Sequence, residues 1–175
     1  KDKQVAGFDP NAFITEDGSH GPEDRNAQGL IGDMSIAENL VLKATDQPQF
    51  SKGHGLLLNK PAIHEYAEEM VKKYDVRCTS TEQTVRSLSG GNQQKVILAR
   101  WMTTGAEVLV LNGPTVGVDV GSKFEIHRKL REIAAAGMGV VMFSDDSHEL
   151  AVNCNRILFI HKGRLVDEAD GASIG

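Results

Sequence analysis

The run Val108-Leu-Val-Leu111, emptying into Asn112-Gly-Pro-Thr-Val-Gly-Val-Asp119-Val-Gly121, constrains this chain more than any other feature. Four apolar residues without alternation are too short for a helix and fit a strand buried on both faces, as in parallel sheets. A second such run, Val140 to Phe143, follows a helical stretch. The back half therefore reads as strand, helix and strand, then a short acidic helix over Ser147 to Val152. A terminal hairpin closes it, Arg156 to Ile160 against Arg164 to Val166 about Lys162-Gly163. The class is α/β with a partial, mainly parallel sheet. Ligands of such sheets sit at the carboxyl ends of strands, which puts the loop after Leu111, with Asp119 at its centre, within reach of one.

Upstream the period changes to helical. Ser35-Ile-Ala-Glu38 is a capping box and predicts a helix from Ile36 to Lys43. Residues 45 to 59 read as a connector. Asn59 then offers a cap, Pro61 suits a first turn, and Ile63, Tyr66, Ala67, Met70, Val71 and Tyr74 recur on one face. A further helix follows Leu88-Ser-Gly-Gly-Asn-Gln93 and runs through Lys95 to Met102. Ser122-Lys-Phe-Glu125 repeats the capping-box pattern and predicts a helix with Phe124, Leu130, Ile133 and Ala134 on its apolar face, stopped by Gly137 and Gly139. Residues 1 to 34 are rich in Gly, Asp and Asn. Only Gln4 to Phe8 and Ala12 to Thr15 could be strands or short turns, and Gly18 to Arg25 reads as a turn or loop. The expected organisation is a helical lobe over 24 to 88 and the second half of an α/β core over 105 to 175, with strands near 108 to 111, 140 to 143, 156 to 160 and 164 to 166.

Composition narrows the function classes. Nineteen Lys and Arg against 24 Asp and Glu give a net charge of -5 over 175 residues, no general attraction for nucleic acid or anionic lipid. Arg128, Lys129 and Arg131 sit among acidic neighbours and read as a solvated face. Cys78 and Cys154 lack the spacing of a metal or redox pair and read as buried free thiols. Six histidines, His20, His54, His64, His127, His148 and His161, have no ligand spacing, and no apolar run approaches the ~20 residues that cross a bilayer. Ser144 lacks nucleophile-elbow glycines and a placed His and acid, so a hydrolase triad finds no support. The chain starts at Lys1 with neither methionine nor leader, the pattern of a piece of something longer.

The sharpest local signal for chemistry is Leu88-Ser89-Gly90-Gly91-Asn92-Gln93-Gln94. A serine cap, two glycines and an opening helix can present backbone N-H groups to an anion at a positive helix end. The residues alone leave open an ordinary capped helix.

The run LSGGNQQKVILARWM resembles the signature motif of ATP-binding-cassette (ABC) transporter ATPases, in the form seen in the second ATPase domain of monosaccharide and nucleoside importers. Gly21 to Leu42 is similar to the segment joining the catalytic core to the helical lobe of that class. GPTVGVDVGSKFEIHRKLREIAAAG resembles its Walker B and D-loop region with the following helix, and residues 156 to 166 fit its closing hairpin. The resemblance implies a P-loop NTPase-like fold, incomplete here, and ATP with magnesium as ligands of the complete domain. It also implies a second ABC ATPase domain and membrane permease subunits, docked through the helical lobe, as partners, at the cytoplasmic face of a membrane.

Carried over position by position, Glu23 falls at the Q-loop and Ser89, Gly90, Gly91 and Gln93 form the signature. Asn112 lies at the Walker B aspartate, Gly113 at the catalytic glutamate, Asp119 at the D-loop aspartate and Asp145 at the switch histidine. The departures are as informative. No G-x-x-x-x-G-K-[ST] occurs in the 175 residues, and residues 112 and 113 carry no carboxylate, so this chain alone is expected to hold neither ATP nor magnesium tightly. An edge of the sheet is expected to be disordered or missing, because Gly18-Ser-His-Gly21 stands where the family has a short apolar strand. A non-catalytic domain with a structural or regulatory role is the alternative; an unrelated α/β binding protein fits the order of motifs less well.

Overall fold

The computed structural model describes residues 29 to 52 and 57 to 170, with the backbone of 18 to 21. The candidate strands at Gln4 to Phe8 and Ala12 to Thr15 lie outside the described residues, as does Glu23.

Helix α1 (Ile36–Val41) starts at the predicted capping box: Ser35 Oγ accepts from Glu38 N at 3.1 Å and Glu38 Oε2 accepts from Ser35 N at 2.8 Å. From its buried face, Asn39 accepts from Ile31 N and donates to the carbonyls of Ile31 and Ser35, all at 3.0 Å, which pins the 31 to 35 loop. The connector carries a short antiparallel ladder, β2 (Ser51–Lys52) with β3 (Leu57–Leu58). Helix α2 (Lys60–Lys73) follows the Asn59 cap and buries Ile63, Ala67 and Met70. After a 3-10 turn over Val85–Ser87 comes α3 (Gly90–Thr103), whose Val96, Ile97, Leu98 and Ala99 are completely buried. Helix α1 packs on both α2 and α3, with Leu40, Phe50 and Val85 filling the junction and the Tyr66 ring edge-on to Phe50 at 5.0 Å. Each such side chain contributes ~1.5–3 kcal/mol by leaving water.

The sheet has three parallel strands in the order β1 (Gly18–Gly21), β4 (Val108–Asn112), β5 (Gly139–Phe143), with Val108 opposite both Gly18 and Gly139. The crossover from β4 to β5 is α4 (Val120–Ala135), which turns Ile126, Leu130 and Ile133 into the core that also holds Leu109 and Leu111. Helix α5 (Ser147–Asn153) follows β5, and the chain returns as the hairpin β6 (Arg156–His161) and β7 (Arg164–Asp170). Lys162 and Gly163 both have positive φ, the two-residue turn whose twist matches that of the strands.

Four sequence expectations need correcting. Gly18 to Gly21 is a strand, not a turn, and the sheet edge expected to be disordered or missing is present, because pairing with β4 uses backbone groups that any residue carries. The β6–β7 hairpin forms its own two-stranded sheet instead of extending the parallel one. The Ser122 box does not cap α4: the helix starts three residues earlier behind Asp119, whose Oδ1 accepts from Ser122 N at 3.0 Å. With that start, Phe124 and Ala134 lie on the exposed side and Ile126 takes the buried place. Among the described residues, no helix is long and apolar enough to cross a membrane.

Candidate functional site

The carboxyl ends of β4 and β5 and the N-termini of α3 and α4 carry all the candidate residues that lie among the described ones. At α3, Ser89 is exposed and holds the N-cap: its Oγ accepts from Asn92 Nδ2 at 3.0 Å and, at 3.5 Å, from Asn92 N. Asn92 is itself fixed, since its Oδ1 accepts from Arg77 N at 2.9 Å. Gly90 is half-buried and Gly91 buried. The Gln93 amide turns back to donate to the carbonyls of Leu88 (3.1 Å) and Val85 (3.4 Å), which buttresses the turn leading into the cap.

Gly91 is where α3 meets α4. A Cβ on it would lie 2.3 Å from Ser122 Oγ and 2.4 Å from Ser122 Cβ, so the two helix starts approach as closely as only glycine permits. One turn further on, Lys95, 4% exposed, donates to Glu125 Oε2 at 2.6 Å and to the carbonyl of Asp75 at 2.8 Å. Arg77 adds a contact to Glu125 Oε1 at 3.3 Å. The glycine contact and the ion pair together lock the α3 N-terminus against the α4 N-terminus. Asp119, exposed at the start of α4, has a carboxyl held below its usual range by hydrogen bonds from the backbone and side chain of Ser122.

At the strand ends, Asn112 closes β4 and Gly113 follows with φ 53, its N-H donating to Phe143 O at 2.9 Å. Asp145 is exposed in the loop after β5. The structure thus joins Gly113 to the end of β5, and joins Gly91 to the helix that Asp119 caps. Among the described residues, no group of three His, Cys, Asp or Glu gathers to hold a metal. Asn112 offers a neutral amide and Gly113 no side chain, so the two residues at the end of β4 do not fit a magnesium ion.

Sequence reasoning missed one cluster. Glu149, buried in α5, accepts from Ser144 Oγ and Thr115 Oγ1 and contacts His127 Nε2. Ser144 therefore does have an acid partner, which corrects that reading, and His127 reaches the same acid from α4. The acid stands between serine and histidine, so the histidine cannot take the serine proton and the triad stays excluded. The partners lie 5, 22 and 34 positions from Glu149, and no spacing rule links them. Cys78 and Cys154 are free and half-buried, with thiols pushed up by burial.

No family model matches the chain. It is 43% identical over 147 residues to a ribose import ATP-binding protein of Streptomyces coelicolor, an alignment covering 84% of this chain and 28% of that protein. A ribose import ATP-binding protein of Bacillus cereus is 39% identical over 168 residues, covering 93% of this chain and 32% of the relative. The chain thus spans less than a third of the curated relatives it matches. Among solved structures, a nucleotide-free ATP-binding cassette from an ABC transporter superposes with a TM-score of 0.76 at 18% identity, covering 97% of this chain and 67% of the other. A dimeric cassette in a post-hydrolysis state, bound to ADP and phosphate, does so with a TM-score of 0.70 at 20% identity, covering 96% and 70%.

Proposed function

From the premise that the chain is an ABC-transporter ATP-binding domain related to sugar-import ATPases, spanning only part of them, we propose that it supplies the signature half of a nucleotide site shared with another domain. The observation that carries the reading is the α3 N-terminus. Ser89 is exposed there, its cap geometry is set by Asn92, and the amides that follow open a fourteen-residue helix. Such an end holds phosphate through backbone N-H groups and the positive end of the helix dipole, and the Ser89 hydroxyl keeps a proton to donate.

In this reading the nucleotide lies chiefly on a partner domain that carries a phosphate-binding loop, and Ser89, Gly90 and Gly91 close over its phosphates. Gln93 holds the turn behind them, while Asp119 and Asp145 face the same nucleotide from the α4 cap and the loop after β5. In the sequence Glu23 corresponds to the family's Q-loop position, and the helical lobe receives the permease subunits at the cytoplasmic face of the membrane. Magnesium, when bound, neutralises phosphate charge; its ligands belong to the partner, because Asn112 and Gly113 do not supply them. With no carboxylate at 113 to act as base, the chain turns over no ATP at its own Walker B position. The boundaries follow the same reading: helical lobe over 24 to 88, core half over 105 to 175. The lack of carboxylates at 112 and 113 favours one second reading, a non-catalytic domain whose role is to support or regulate the partner's site.

Calorimetric titration tests the proposal. ATP added to the chain alone should release no heat of binding, and ATP added to the chain with a complete cassette domain should bind more tightly than to that domain alone. Tight binding by the isolated chain, or no gain in the mixture, would overturn it.

A further inference from the structure

Strands β4 and β5 each end in a loop, residues 113 to 118 and 144 to 146, and one carboxylate ties the two loops together. Glu149 Oε1 accepts from Thr115 Oγ1 at 2.5 Å and lies 2.7 Å from His127 Nε2, while Oε2 accepts from Ser144 Oγ at 2.6 Å. Ser144 Oγ accepts in turn from Asp146 N at 3.1 Å, and Asp146 Oδ1 accepts from Glu149 N at 3.1 Å, which closes a ring of hydrogen bonds around residue 145. On the other side, the Thr115 carbonyl accepts from Val118 N at 3.2 Å, so the hydroxyl that reaches Glu149 belongs to a residue that shapes its own loop. Thr115 is 2% exposed and Glu149 6%, which shields these bonds from water.

A buried carboxylate is costly unless several donors satisfy it. Here burial raises the acid, but the bonds from Ser144, Thr115 and His127 outweigh that and hold Glu149 below its ordinary value. As a carboxylate it only accepts, so every hydroxyl beside it must point inward. That requirement fixes the rotamers of Thr115 and Ser144 together. An apolar residue at 149 would fill the space and impose no such constraint.

We propose that Glu149 is a positioning residue that sets the 144 to 146 loop against the 113 to 118 loop, so that a nucleotide engaging one loop is felt at the other. The first half rests on the geometry alone; the second rests on the nucleotide reading above.

The two halves are tested separately. Amide resonances of the isolated chain report the positioning, with no nucleotide or partner needed. Thr115→Val keeps the shape and deletes the donor, and it should move the amides of residues 144 to 146. Thr115→Ser restores the hydroxyl and should return them to their wild-type places. In a Glu149→Gln background the effect of Thr115→Val on 144 to 146 should fall by at least half. A Thr115→Val effect confined to residues 113 to 118, or one that Thr115→Ser reproduces in full, overturns the positioning role. Should Glu149→Gln fail to fold, Ser144→Ala must move residues 113 to 118 in the reciprocal experiment, and a silent result there overturns it equally.

ATP-dependent association with a complete cassette domain, followed by sedimentation, tests the second half. Glu149→Gln should weaken it about tenfold, the loss of roughly one hydrogen bond to a charged group. Unchanged association in a variant whose loop amides have moved overturns the coupling. If the wild-type chain itself shows no ATP-dependent association, the nucleotide reading fails, and the amide comparison still decides the role of Glu149.

Discussion

Replacing Gly91 by alanine isolates the contact that holds the N-terminus of α3 in place. The new Cβ would stand 2.4 Å from Ser122 Cβ, roughly 1 Å inside ordinary contact, and no rotation of the serine side chain moves a Cβ. The helices must part instead, and the strain reaches Lys95 and Glu125 one turn along, whose 2.6 Å pair is the next contact between them. Overpacking of this kind costs ~1–3 kcal/mol, offset by the ~0.5–1 kcal/mol that alanine gains over glycine in a helix. With values near the middle of both ranges, the expected net loss is about 1–2 kcal/mol. With an m-value of ~2 kcal/mol per molar, the urea midpoint should fall by roughly 0.5–1 M at unchanged m. Adding Ser122→Gly removes the obstructing atoms, so in that background Gly91→Ala should stabilise the chain by the ~0.5–1 kcal/mol helix gain, a coupling of about 1–3 kcal/mol in a double-mutant cycle. Additivity within ~0.5 kcal/mol, or a Gly91→Ala chain as stable as the wild type, would refute the close-approach argument.

Tyr74, 2% exposed, has its phenol pushed up to about 12, chiefly by burial and then by Tyr66 and Glu132. The folded state therefore resists ionisation that the unfolded chain undergoes near 10, so this residue's contribution is complete below pH 10 and is lost as pH rises toward 12. Tyr74→Phe should track the wild type below pH 10 in urea titrations and exceed it by about 2–3 kcal/mol near pH 12; parallel curves throughout would contradict the buried phenol. Restoring carboxylates with Asn112→Asp and Gly113→Glu should leave ATP turnover by the chain at background. The second change should cost about 1–2 kcal/mol, because φ at 113 is 53. Phosphate release above background in a contaminant-free preparation, or a neutral Gly113→Glu, would contradict these expectations.

The helical elements were legible because their signals are local. Ser35 with Glu38, Asn59 with Pro61, and Ser89 before two glycines each lie within one turn of the helix they start, and the structure starts helices there. Ser122 with Glu125 showed the same pattern and misled, because Asp119 had already capped the helix one turn earlier and Glu125 answers Lys95 from another helix. β1 was illegible for the opposite reason: Gly18-Ser-His-Gly21 has no strand composition, and its pairing depends on β4, ninety residues away. Ser89, Gly90, Gly91 and Gln93 and the residues after the strand ends stand out as candidates from motif and resemblance. Glu149 was not, since its three partners converge only after β4, β5 and α4 have packed. The close approach at Gly91 was equally hidden, because a sequence shows a glycine but not the side chain that requires it.

Sedimentation velocity of this chain mixed with a complete cassette domain, with and without ATP, tests the shared-site claim most directly when Ser89→Arg is run beside the wild type. Arginine at the cap costs ~1 kcal/mol of helix stability, which a domain with a ~5–15 kcal/mol margin survives, so circular dichroism should be close to unchanged. It also places a bulky side chain where the phosphates would be received. The account predicts a faster-sedimenting complex that forms only with ATP for the wild type and fails to form for Ser89→Arg. An ATP-dependent complex of equal strength with both chains would contradict it.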